Sequence, residues 1–433
     1  MNYQETIDYL YSRLPVFQNI GARAFKPGLH TTRELCKFFG DPQDTYPTIH
    51  VAGTNGKGST SHMLAAILQE AGYRVGLYTS PHLKDFRERI RINGEMISEE
   101  FVVNFTSDNL SNIDRLNPSF FEVTVVMAFS YFHERNVDVA VIETGMGGRL
   151  DSTNVINPIL SLITNISMDH TQFLGDSLAK IAFEKAGIIK DQTPVVVSEH
   201  QDSEINDVLC SVANQKNTRL QYASDSFEVE SFGLRDGKLA VRVKDKESGE
   251  YIFSDLRLDL TGSYQMKNLA GVMTAVKVLK ALNWNINEES VSGALGNVVQ
   301  LTGLKGRWQQ IGSHPDIYCD TAHNKAGLSE TISYFQSVSH GRQSFVIGFV
   351  ADKDINGILK LFPKTASYYF CQPSNMRALK ASELRTMALE YGLIGECFDN
   401  VNDALKEAIR DSSEKDAIYV GGSTFVVADL DQL

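Results

Sequence analysis

A short glycine-rich segment carries the residues best suited to chemistry in this chain. It runs from Gly53 to Thr60 and contains three glycines, Lys57 and two adjacent hydroxyl residues, Ser59 and Thr60. Glycines let backbone N–H groups converge on one point, a lysine adds positive charge, and a hydroxyl can bind Mg²⁺. The segment therefore predicts a phosphate-binding loop.

The loop departs from the common P-loop pattern at two positions. That pattern has glycine where this chain has Val51, and serine or threonine directly after the lysine, where this chain has Gly58. A tight strand-to-helix turn that needs glycine is the structural alternative. The lysine and hydroxyls stand where phosphate and metal need them, which favours phosphate binding.

The flanking sequence predicts the elements that position this loop. Residues 46–52 are expected to form a buried strand, and residues 59–71 carry apolar side chains at helical spacing. Strands and helices then alternate, which predicts an α/β domain with a mostly parallel sheet and helices on both faces. The other strands expected in this sheet are residues 74–78, 137–143, 159–165 and 194–198.

Two changes of pattern predict the domain organisation. Residues 227–260 contain short alternating runs separated by Asp-Gly and Ser-Gly pairs, which indicates an antiparallel hairpin insert. A second, smaller α/β alternation begins at Arg307 and predicts a Rossmann-like domain. The expected division is an ATP-binding domain over residues 1–300, a linker over 301–306 and a C-terminal domain over 307–433.

Polar residues follow neighbouring predicted strands of the first domain. Ser80, Glu143 and His170 each stand just after a strand, and Ser59 belongs to the glycine-rich loop. Ligands of parallel α/β sheets bind outside the carboxyl ends of the strands. Three oxygens and one nitrogen beside phosphates predict a site for Mg²⁺, or alternatively Mn²⁺, rather than zinc. Taken alone, His170 would be structural and Ser80 a helix cap.

Composition narrows the function classes. The length of 433 residues fits two or three domains, and the formal charge of −12 argues against binding to nucleic acid or membrane surfaces. Anionic substrates would then need local cations. Five scattered cysteines without a Cys-x-x-Cys pair, and no visible signal peptide or membrane segment, favour a cytoplasmic protein. The candidate cations are Lys57, Arg89, Arg91, Arg149 and Arg307.

Several motifs carry a family resemblance over nearly the whole chain. They include Gly-Thr-Asn-Gly-Lys-Gly-Ser at 53–59, Ser-Pro-His-Leu at 80–83, and the Glu-x-Gly-x-Gly-Gly-Arg segment at 143–149. Asp-His follows at 169–170, and Asp-x-Ala-His-Asn at 320–324 in the second domain. Together these motifs resemble folylpolyglutamate synthase, including its bifunctional dihydrofolate synthase form, a branch of the Mur ligases.

The resemblance implies roles for individual residues. Those expected to bind ATP are Asn55, Gly56, Lys57, Gly58, Ser59, Thr60, Asn268, Arg307 and Asp320. Those expected at two Mg²⁺ sites are Ser59, Ser80, Glu143, His170 and Lys185, the last of them carbamylated. Those expected to be catalytic are Lys57, His170, Lys185, Asp320 and His323. Those expected to line a pterin pocket are Gly28, Leu29, Phe121, Glu122, Val123, Thr124, Leu150, Asp151 and Ser152.

The resemblance also implies an activity. The expected reaction is ATP-dependent addition of L-glutamate to a folate or dihydropteroate carboxylate through an acyl phosphate, with release of ADP and phosphate. The expected state is a monomer with small-molecule substrates and no nucleic-acid or membrane partner. Another Mur-type amino-acid ligase and a regulatory nucleotide switch are the alternatives. The sequence leaves open whether the acceptor is dihydropteroate or tetrahydrofolate.

Overall fold

The contacts of the chain divide it into two units. The computed structural model describes residues 1–15 and 28–433. The first unit comprises Met1–Asp259 and Gln265–Leu304, and the second comprises Leu260–Tyr264 and Lys305–Leu433. The sequence over residues 21–28 predicts a loop, and this segment lies outside the described residues except for Gly28. The domain bounds of 1–300 and 307–433 stay a prediction.

The first unit is built on an eight-stranded sheet whose order is β4-β3-β2-β5-β1-β6-β7-β8. The six strands from β2 to β8 in that order run parallel, whereas β3 and β4 are antiparallel to their neighbours. The mostly parallel sheet is therefore confirmed. The strands are β1 (Thr48–Ala52), β2 (Val75–Tyr78), β3 (Ile90–Ile92), β4 (Glu95–Met96), β5 (Val139–Glu143), β6 (Leu160–Ile163), β7 (Val195–Val197) and β8 (Leu220–Tyr222).

Burial explains why the central strands were readable from sequence. All five positions of β1 and all five of β5 are buried, as expected for parallel strands covered on both faces. The exposed strand β4 and the half-buried strand β8 lack such apolar runs, and neither was predicted.

Helices cover the sheet and begin at polar caps. Ser98 caps the helix Glu99–Asp108, and Ser119 with Glu122 forms a capping box at the start of the helix Phe120–Glu134. The long, mostly apolar run over residues 121–134 predicts a buried helix, and the structure has this helix. The helices of the first unit are α1 (Tyr3–Arg13), α2 (His30–Phe38), α3 (Lys57–Glu70), α4 (Glu99–Asp108), α5 (Leu110–Leu116), α6 (Phe120–Glu134), α7 (Thr171–Leu174), α8 (Leu178–Ala186), α9 (Ser203–Gln215), α10 (Ala223–Ser226), α11 (Gln265–Ala281), α12 (Glu288–Leu295) and α13 (Val298–Thr302).

The antiparallel insert is a three-stranded meander. Its strands are β9 (Phe227–Arg235), β10 (Lys238–Asp245) and β11 (Tyr251–Leu258), with β10 in the centre. The predicted antiparallel insert is thus confirmed, with one strand more than a hairpin. Strand β9 packs against α11, which joins the insert to the rest of the unit.

The second unit contains a six-stranded sheet of order β12-β13-β17-β14-β15-β16. Only β12 is antiparallel to its neighbour among these strands, so the smaller α/β architecture is confirmed. Its elements are β12 (Gln309–Gly312), β13 (Asp316–Cys319), α14 (Lys325–Val338), β14 (Gln343–Ile347), α15 (Ile355–Leu359), β15 (Ser367–Cys371), α16 (Ala381–Glu390), β16 (Gly395–Phe398), α17 (Val401–Arg410), β17 (Ala417–Gly421) and α18 (Thr424–Asp429).

The segment predicted as a linker is partly helical. Leu301 and Thr302 complete α13, and the helix ends at Gly303, whose φ of +70° is left-handed. In the part of the chain that the structure describes, no helix combines the length and apolarity needed to cross a membrane.

Candidate active site

Four sequence motifs meet at one edge of the large sheet. The glycine-rich loop follows β1, Ser80 follows β2, Glu143 ends β5 and His170 follows β6. These four strands are consecutive neighbours in the sheet, in the order β2-β5-β1-β6. The parallel arrangement places their carboxyl ends together, where ligands of such sheets bind.

The glycine-rich loop is held by the segment after β6. Thr54 N donates to the Asn165 carbonyl at 2.7 Å, and Asn55 N donates to Asn165 Oδ1 at 2.8 Å. The Thr164 hydroxyl donates to the Asn55 carbonyl at 2.6 Å. Gly53 must be glycine, because a Cβ there would lie 1.8 Å from Thr164 Oγ1 and its φ is +151°. The loop is therefore preorganised by the chain itself.

Two lysines converge on one carbonyl of this loop. Lys57 Nζ donates to the Gly53 and Thr54 carbonyls at 3.1 and 3.0 Å, and Lys185 Nζ donates to the Gly53 carbonyl at 2.7 Å. Lys185 is 3% exposed and is therefore not a solvated surface lysine. Burial, and secondarily the charge of Lys57, lowers the pKa of Lys185 to about 7, and the charges of Asp169 and Asp151 oppose this shift. The two amines thus lie on the same side of the loop, and Lys185 is the one whose charge the fold disfavours.

The residues predicted to bind metal lie on the same edge, but their contacts differ. Glu143 is 4% exposed and its Oε2 accepts from Ser80 N at 3.1 Å. Ser59 is 1% exposed and accepts from Gln265 Nε2 at 3.1 Å. His170 adopts a left-handed conformation with φ of +50° and its side chain is 31% exposed. Lys185 completes the predicted set.

Unused hydrogen-bonding capacity accompanies these residues. Among the described residues, the buried hydroxyls of Thr60 and Thr144 have no hydrogen-bond partner. No cluster of three or more His, Cys, Asp or Glu side chains in the described ranges is arranged to hold a metal by itself. A cation here would consequently need hydroxyl or ligand oxygens in addition to Glu143.

The loop after Glu143 packs tightly against the end of α8. A Cβ at Gly148 would lie 2.8 Å from the Lys185 carbonyl, and one at Gly187 would lie 2.2 Å from Arg149 Cα. Arg149 Nη2 also pairs with Glu184 Oε1 at 2.7 Å. The segments 143–149 and 184–187, which are separate in sequence, thus pack against each other, and Lys185 lies beside the glycine-rich loop.

The residues predicted for a pterin pocket are drawn together by α2, α6 and the 152–155 turn, which contact one another. The Phe121 ring lies over Gly145, where a Cβ would come within 2.4 Å of the ring. Glu122 accepts from Ser119 N at 2.7 Å and from the Thr32 hydroxyl at 3.3 Å, so its carboxylate is occupied by the fold. Val123 belongs to the hydrophobic core, and the Thr124 hydroxyl donates to a carbonyl of its own helix.

The rest of this predicted set has equally local roles. Asp151 is 6% exposed and accepts from Met146 N at 2.8 Å and the Thr153 hydroxyl at 2.5 Å. Burial raises the pKa of Asp151. Leu150 precedes Asp151 and is half-buried. Asp151 caps the short turn over residues 152–155, and Ser152 is the first residue of that turn. Gly28 and Leu29 directly precede α2, and Gly28 has φ of +118°.

The second unit presents a buried carboxylate at the end of β13. Asp320 accepts from the Tyr264 hydroxyl at 2.6 Å, from Trp308 N at 2.7 Å and from Ala322 N at 2.8 Å. Burial raises the pKa of Asp320, although the Tyr264 hydrogen bond opposes this. Arg307 donates to the Thr321 hydroxyl, and His323 Nδ1 lies 3.0 Å from the Thr321 carbonyl. Tyr264 was not among the predicted residues.

The remaining cations named from sequence have different surroundings. Arg89 is 3% exposed, and its Nε donates to His82 Nδ1 at 2.7 Å. Arg91 is 8% exposed and donates to the Gly94 carbonyl at 2.9 Å, and burial lowers its pKa. Arg89 and Arg91 are thus built into the fold, unlike the solvated surface charges that single arginines usually are.

Two known protein families match this chain. The family described as Mur ligase middle domain matches residues 51–276, and the family described as Mur ligase, glutamate ligase domain matches residues 306–424. The chain, with its mostly parallel sheet and its smaller second α/β unit, is accordingly a Mur-type ATP-dependent ligase.

Individual relatives narrow this class. A protein of Haloferax volcanii named probable bifunctional folylpolyglutamate synthase/dihydropteroate synthase is 32% identical over 442 residues, covering 99% of this chain and 50% of that one. The chain thus spans about half the length of that relative. The Bacillus subtilis dihydrofolate synthase/folylpolyglutamate synthase is 31% identical over 449 residues, covering 99% and 98%.

A solved structure agrees over the same extent. Escherichia coli FolC in complex with DHPP and ADP superposes with a TM-score of 0.84 at 28% identity, covering 99% of this chain and 96% of that one. The chain belongs to the folylpolyglutamate synthase and dihydrofolate synthase family, and it is an ATP-dependent ligase.

Proposed function

We propose that this chain joins L-glutamate to the carboxylate of folate or dihydropteroate, at the expense of ATP, through an acyl phosphate. The observation that carries this proposal is the convergence of Lys57 and Lys185 on the glycine-rich loop, at the same sheet edge as the buried Glu143. The named relatives and the ADP complex of the Escherichia coli protein support the choice of substrates.

The chemistry follows from the weakness of a carboxylate as an acceptor for an amine. Transfer of the γ-phosphoryl group from ATP to a carboxylate oxygen gives an acyl phosphate and ADP. The glutamate α-amine then attacks the acyl carbon, phosphate leaves, and the amine loses a proton as the amide forms. Lys57 and the loop N–H groups offset negative charge on the transferring phosphoryl group.

The donor set fits Mg²⁺. Glu143 supplies a buried carboxylate as an oxygen donor at this edge of the sheet. Oxygen ligands suit Mg²⁺ and also Mn²⁺. When bound, the cation would neutralise charge on the phosphate oxygens. The residues proposed to hold two such ions are Ser59, Ser80, Glu143, His170 and carbamylated Lys185.

Carbamylation of Lys185 is part of the proposal. Its pKa of about 7 leaves a substantial fraction of neutral amine near neutral pH, and that amine can add CO₂ with loss of one proton. The product is an anionic oxygen ligand on a long stem. It would replace a buried cation beside Lys57 by an anion, which removes their repulsion.

The family resemblance also assigns roles to four further residues. It assigns Asn268, Arg307 and Asp320 to ATP, and Asp320 and His323 to catalysis. A cytoplasmic monomer without nucleic-acid or membrane partners is also inferred, from the charge of −12 and from five cysteines that are all free.

One assay tests the reaction directly. The protein is incubated with ATP, Mg²⁺, L-glutamate and either dihydropteroate or tetrahydrofolate, and the product is examined by mass spectrometry for one added glutamate. Product with either acceptor supports the proposal and shows which acceptor is preferred. Product only with a cell-wall nucleotide acceptor would instead indicate another Mur-type ligase. ATP hydrolysis without any amide would indicate a nucleotide switch.

A further inference from the structure

A buried glutamine connects two of the residues assigned to the nucleotide. Gln265 is the first residue of α11 and has 0% exposure. Its Nε2 donates to Ser59 Oγ at 3.1 Å, and its Oε1 accepts from Asn268 Nδ2 at 2.8 Å. The contact with Ser59 spans 206 positions of sequence. Gln265 is thus bonded to the first turn of α3 and to the adjacent turn of its own helix.

These two hydrogen bonds fix orientation as well as distance. Because Gln265 Oε1 accepts from the Asn268 amide nitrogen, Asn268 Oδ1 is turned towards Gly56. A Cβ at Gly56 would lie 2.3 Å from this oxygen. Because Gln265 Nε2 donates to Ser59 Oγ, one lone pair of that hydroxyl is used, and its proton and other lone pair remain for a ligand. The orientation of both groups therefore depends on one side chain.

We propose that Gln265 is a positioning residue of the ligase, which orients Ser59 and Asn268 for the nucleotide and its cation without touching either. This inference rests on the proposed function, since it concerns the same site. A buried amide that loses one of its hydrogen bonds is destabilised. If the Gln265 amide were removed, the Asn268 side chain would therefore lose its partner and could adopt other rotamers.

Substitution of Gln265 by methionine gives the principal test. Methionine has similar volume and no amide, so Gln265→Met removes both hydrogen bonds with little change in packing. We expect about a tenfold weaker affinity for ADP in the presence of Mg²⁺, measured by calorimetry, and a smaller change when EDTA replaces Mg²⁺. In the ligase assay the KM for ATP should rise more than kcat falls.

A buried residue of the same helix supplies the matched control. Thr274 is 0% exposed and its hydroxyl donates to the Ala270 carbonyl at 2.9 Å, within α11. Thr274→Val removes a buried hydrogen bond at constant shape, so it should alter thermal stability without altering the Mg²⁺ dependence of ADP binding. Equal effects of the two variants on ADP affinity would show that Gln265 acts only through helix packing.

A double-mutant cycle decides whether Gln265 acts through Ser59. If it does, Gln265→Met should add less than about twofold to the loss of ADP affinity caused by Ser59→Ala. Full additivity of the two changes would overturn the proposal. Should the methionine variant fail to fold, Gln265→Glu replaces it in the same cycle, because it keeps the acceptor for Asn268 and loses the donor to Ser59. Wild-type protein that forms no amide but shows the same coupling in ADP binding would refute the proposed function and leave this inference standing.

Discussion

The carboxyl ends of β5 and β13 carry the same pair of residue types, an acid followed by threonine. Glu143-Thr144 ends β5 in the first unit, and Asp320-Thr321 follows β13 in the second. Both acids are buried, at 4% and 3% exposure. From sequence alone the two pairs are equally good candidates for chemistry.

The two pairs differ in how the chain uses them. Asp320 accepts three hydrogen bonds from Tyr264, Trp308 and Ala322, and Arg307 donates to Thr321 Oγ1. Glu143 accepts from the backbone of Ser80, whereas Thr144 Oγ1 is without a hydrogen-bond partner among the described residues. Glu143, Asp320 and Thr321 each have a partner in the fold, so the two pairs differ at the threonine. A buried polar group without a partner is costly, and the Thr144 hydroxyl therefore keeps hydrogen-bonding capacity that the Thr321 hydroxyl has used.

The largest expected effect comes from Lys57. Lys57→Ala should lower the rate of ligation about a thousandfold, because it removes the charge that faces the transferring phosphoryl group. We expect the fold to be kept, because the two carbonyls that Lys57 Nζ bonds belong to its own loop and their loss is a local change. Amide formation and thermal unfolding are the measurements, and Lys406→Ala, at a side chain that is 75% exposed, is the control. Ligation near the wild-type rate would remove the phosphate-binding assignment.

Glu143→Gln and Asp320→Asn are isosteric substitutions of the two acids, and we expect them to have different effects. Glu143→Gln should lower turnover about a hundredfold and raise the Mg²⁺ concentration required, with little change in thermal stability. His170→Ala should behave in the same direction, because its partly exposed side chain contributes little to packing. Normal turnover of both variants at low Mg²⁺ would place the metal site elsewhere.

Asp320→Asn should lower the stability of the second unit in addition to weakening ATP binding. It replaces a carboxylate acceptor of three hydrogen bonds by an amide that cannot accept all of them equally, at a cost of about 2 kcal/mol in the free energy of unfolding. Chemical denaturation with a probe in the second unit measures this. If Asp320→Asn kept full stability and lost activity like Glu143→Gln, the two acids would be functionally alike and the contrast drawn here would be wrong.

Much of this arrangement was predictable from sequence, for identifiable reasons. The central strands and α6 were found because continuous apolar runs mark elements buried on both faces. The grouping of motifs at one edge followed from the parallel sheet. Short or partly exposed strands such as β4, β8 and β16 were missed, because neither propensity nor periodicity marks them.

The contacts within the site were less predictable. The bond from Gln265 to Ser59 joins residues 206 positions apart, and sequence spacing carries no information about such pairs. The capping role of Glu122 could have been predicted from the local sequence, because Ser119 stands three residues before it in the spacing of a capping box. Lys185 was assigned from the resemblance, whereas its burial and its hydrogen bond to the Gly53 carbonyl, 132 positions away, depend on the tertiary fold.

The burial of Lys185 is expected to lower the free energy of unfolding, and this effect can be measured through its pH dependence. Burial lowers the pKa of this lysine to about 7, from 10.5 in the unfolded chain. The unfolded state then binds more protons than the native state between about pH 7 and 10.5, so this group makes the protein more stable as the pH rises through that window. Below about pH 7 its destabilisation is greatest and constant.

Lys185→Met should therefore stabilise the protein, and it should also lower the rate of ligation because the proposed carbamate cannot form. In buffer free of CO₂ at pH 7 we expect a gain on the order of 3 kcal/mol in the free energy of unfolding, shrinking towards zero near pH 10. Urea denaturation of both proteins at several pH values measures the difference. A native mass increase at Lys185 that acid removes would add support for the carbamate. A methionine variant less stable than wild type at every pH would contradict the argument.

The smallest effect concerns Arg307, which saturates the threonine of the second pair. Its guanidinium donates to Thr321 Oγ1 and to the Gly306 carbonyl at 3.3 Å, so part of its donor capacity is used by the unit itself. A guanidinium has five N–H groups, and the others are free to meet phosphate oxygens. Arg307→Ala should weaken ATP binding about tenfold through the loss of charge-assisted hydrogen bonds. Arg342→Ala, at a side chain that is 73% exposed, controls for loss of a positive charge.

Thr321→Val separates the two uses of Arg307. It removes the hydroxyl to which Arg307 donates and keeps the charge of Arg307, so it should weaken ATP binding only about twofold. If Arg307→Ala and Thr321→Val gave equal losses of ATP affinity, Arg307 would act by holding its own unit together, and if neither changed ATP affinity, its assignment to the nucleotide would fail.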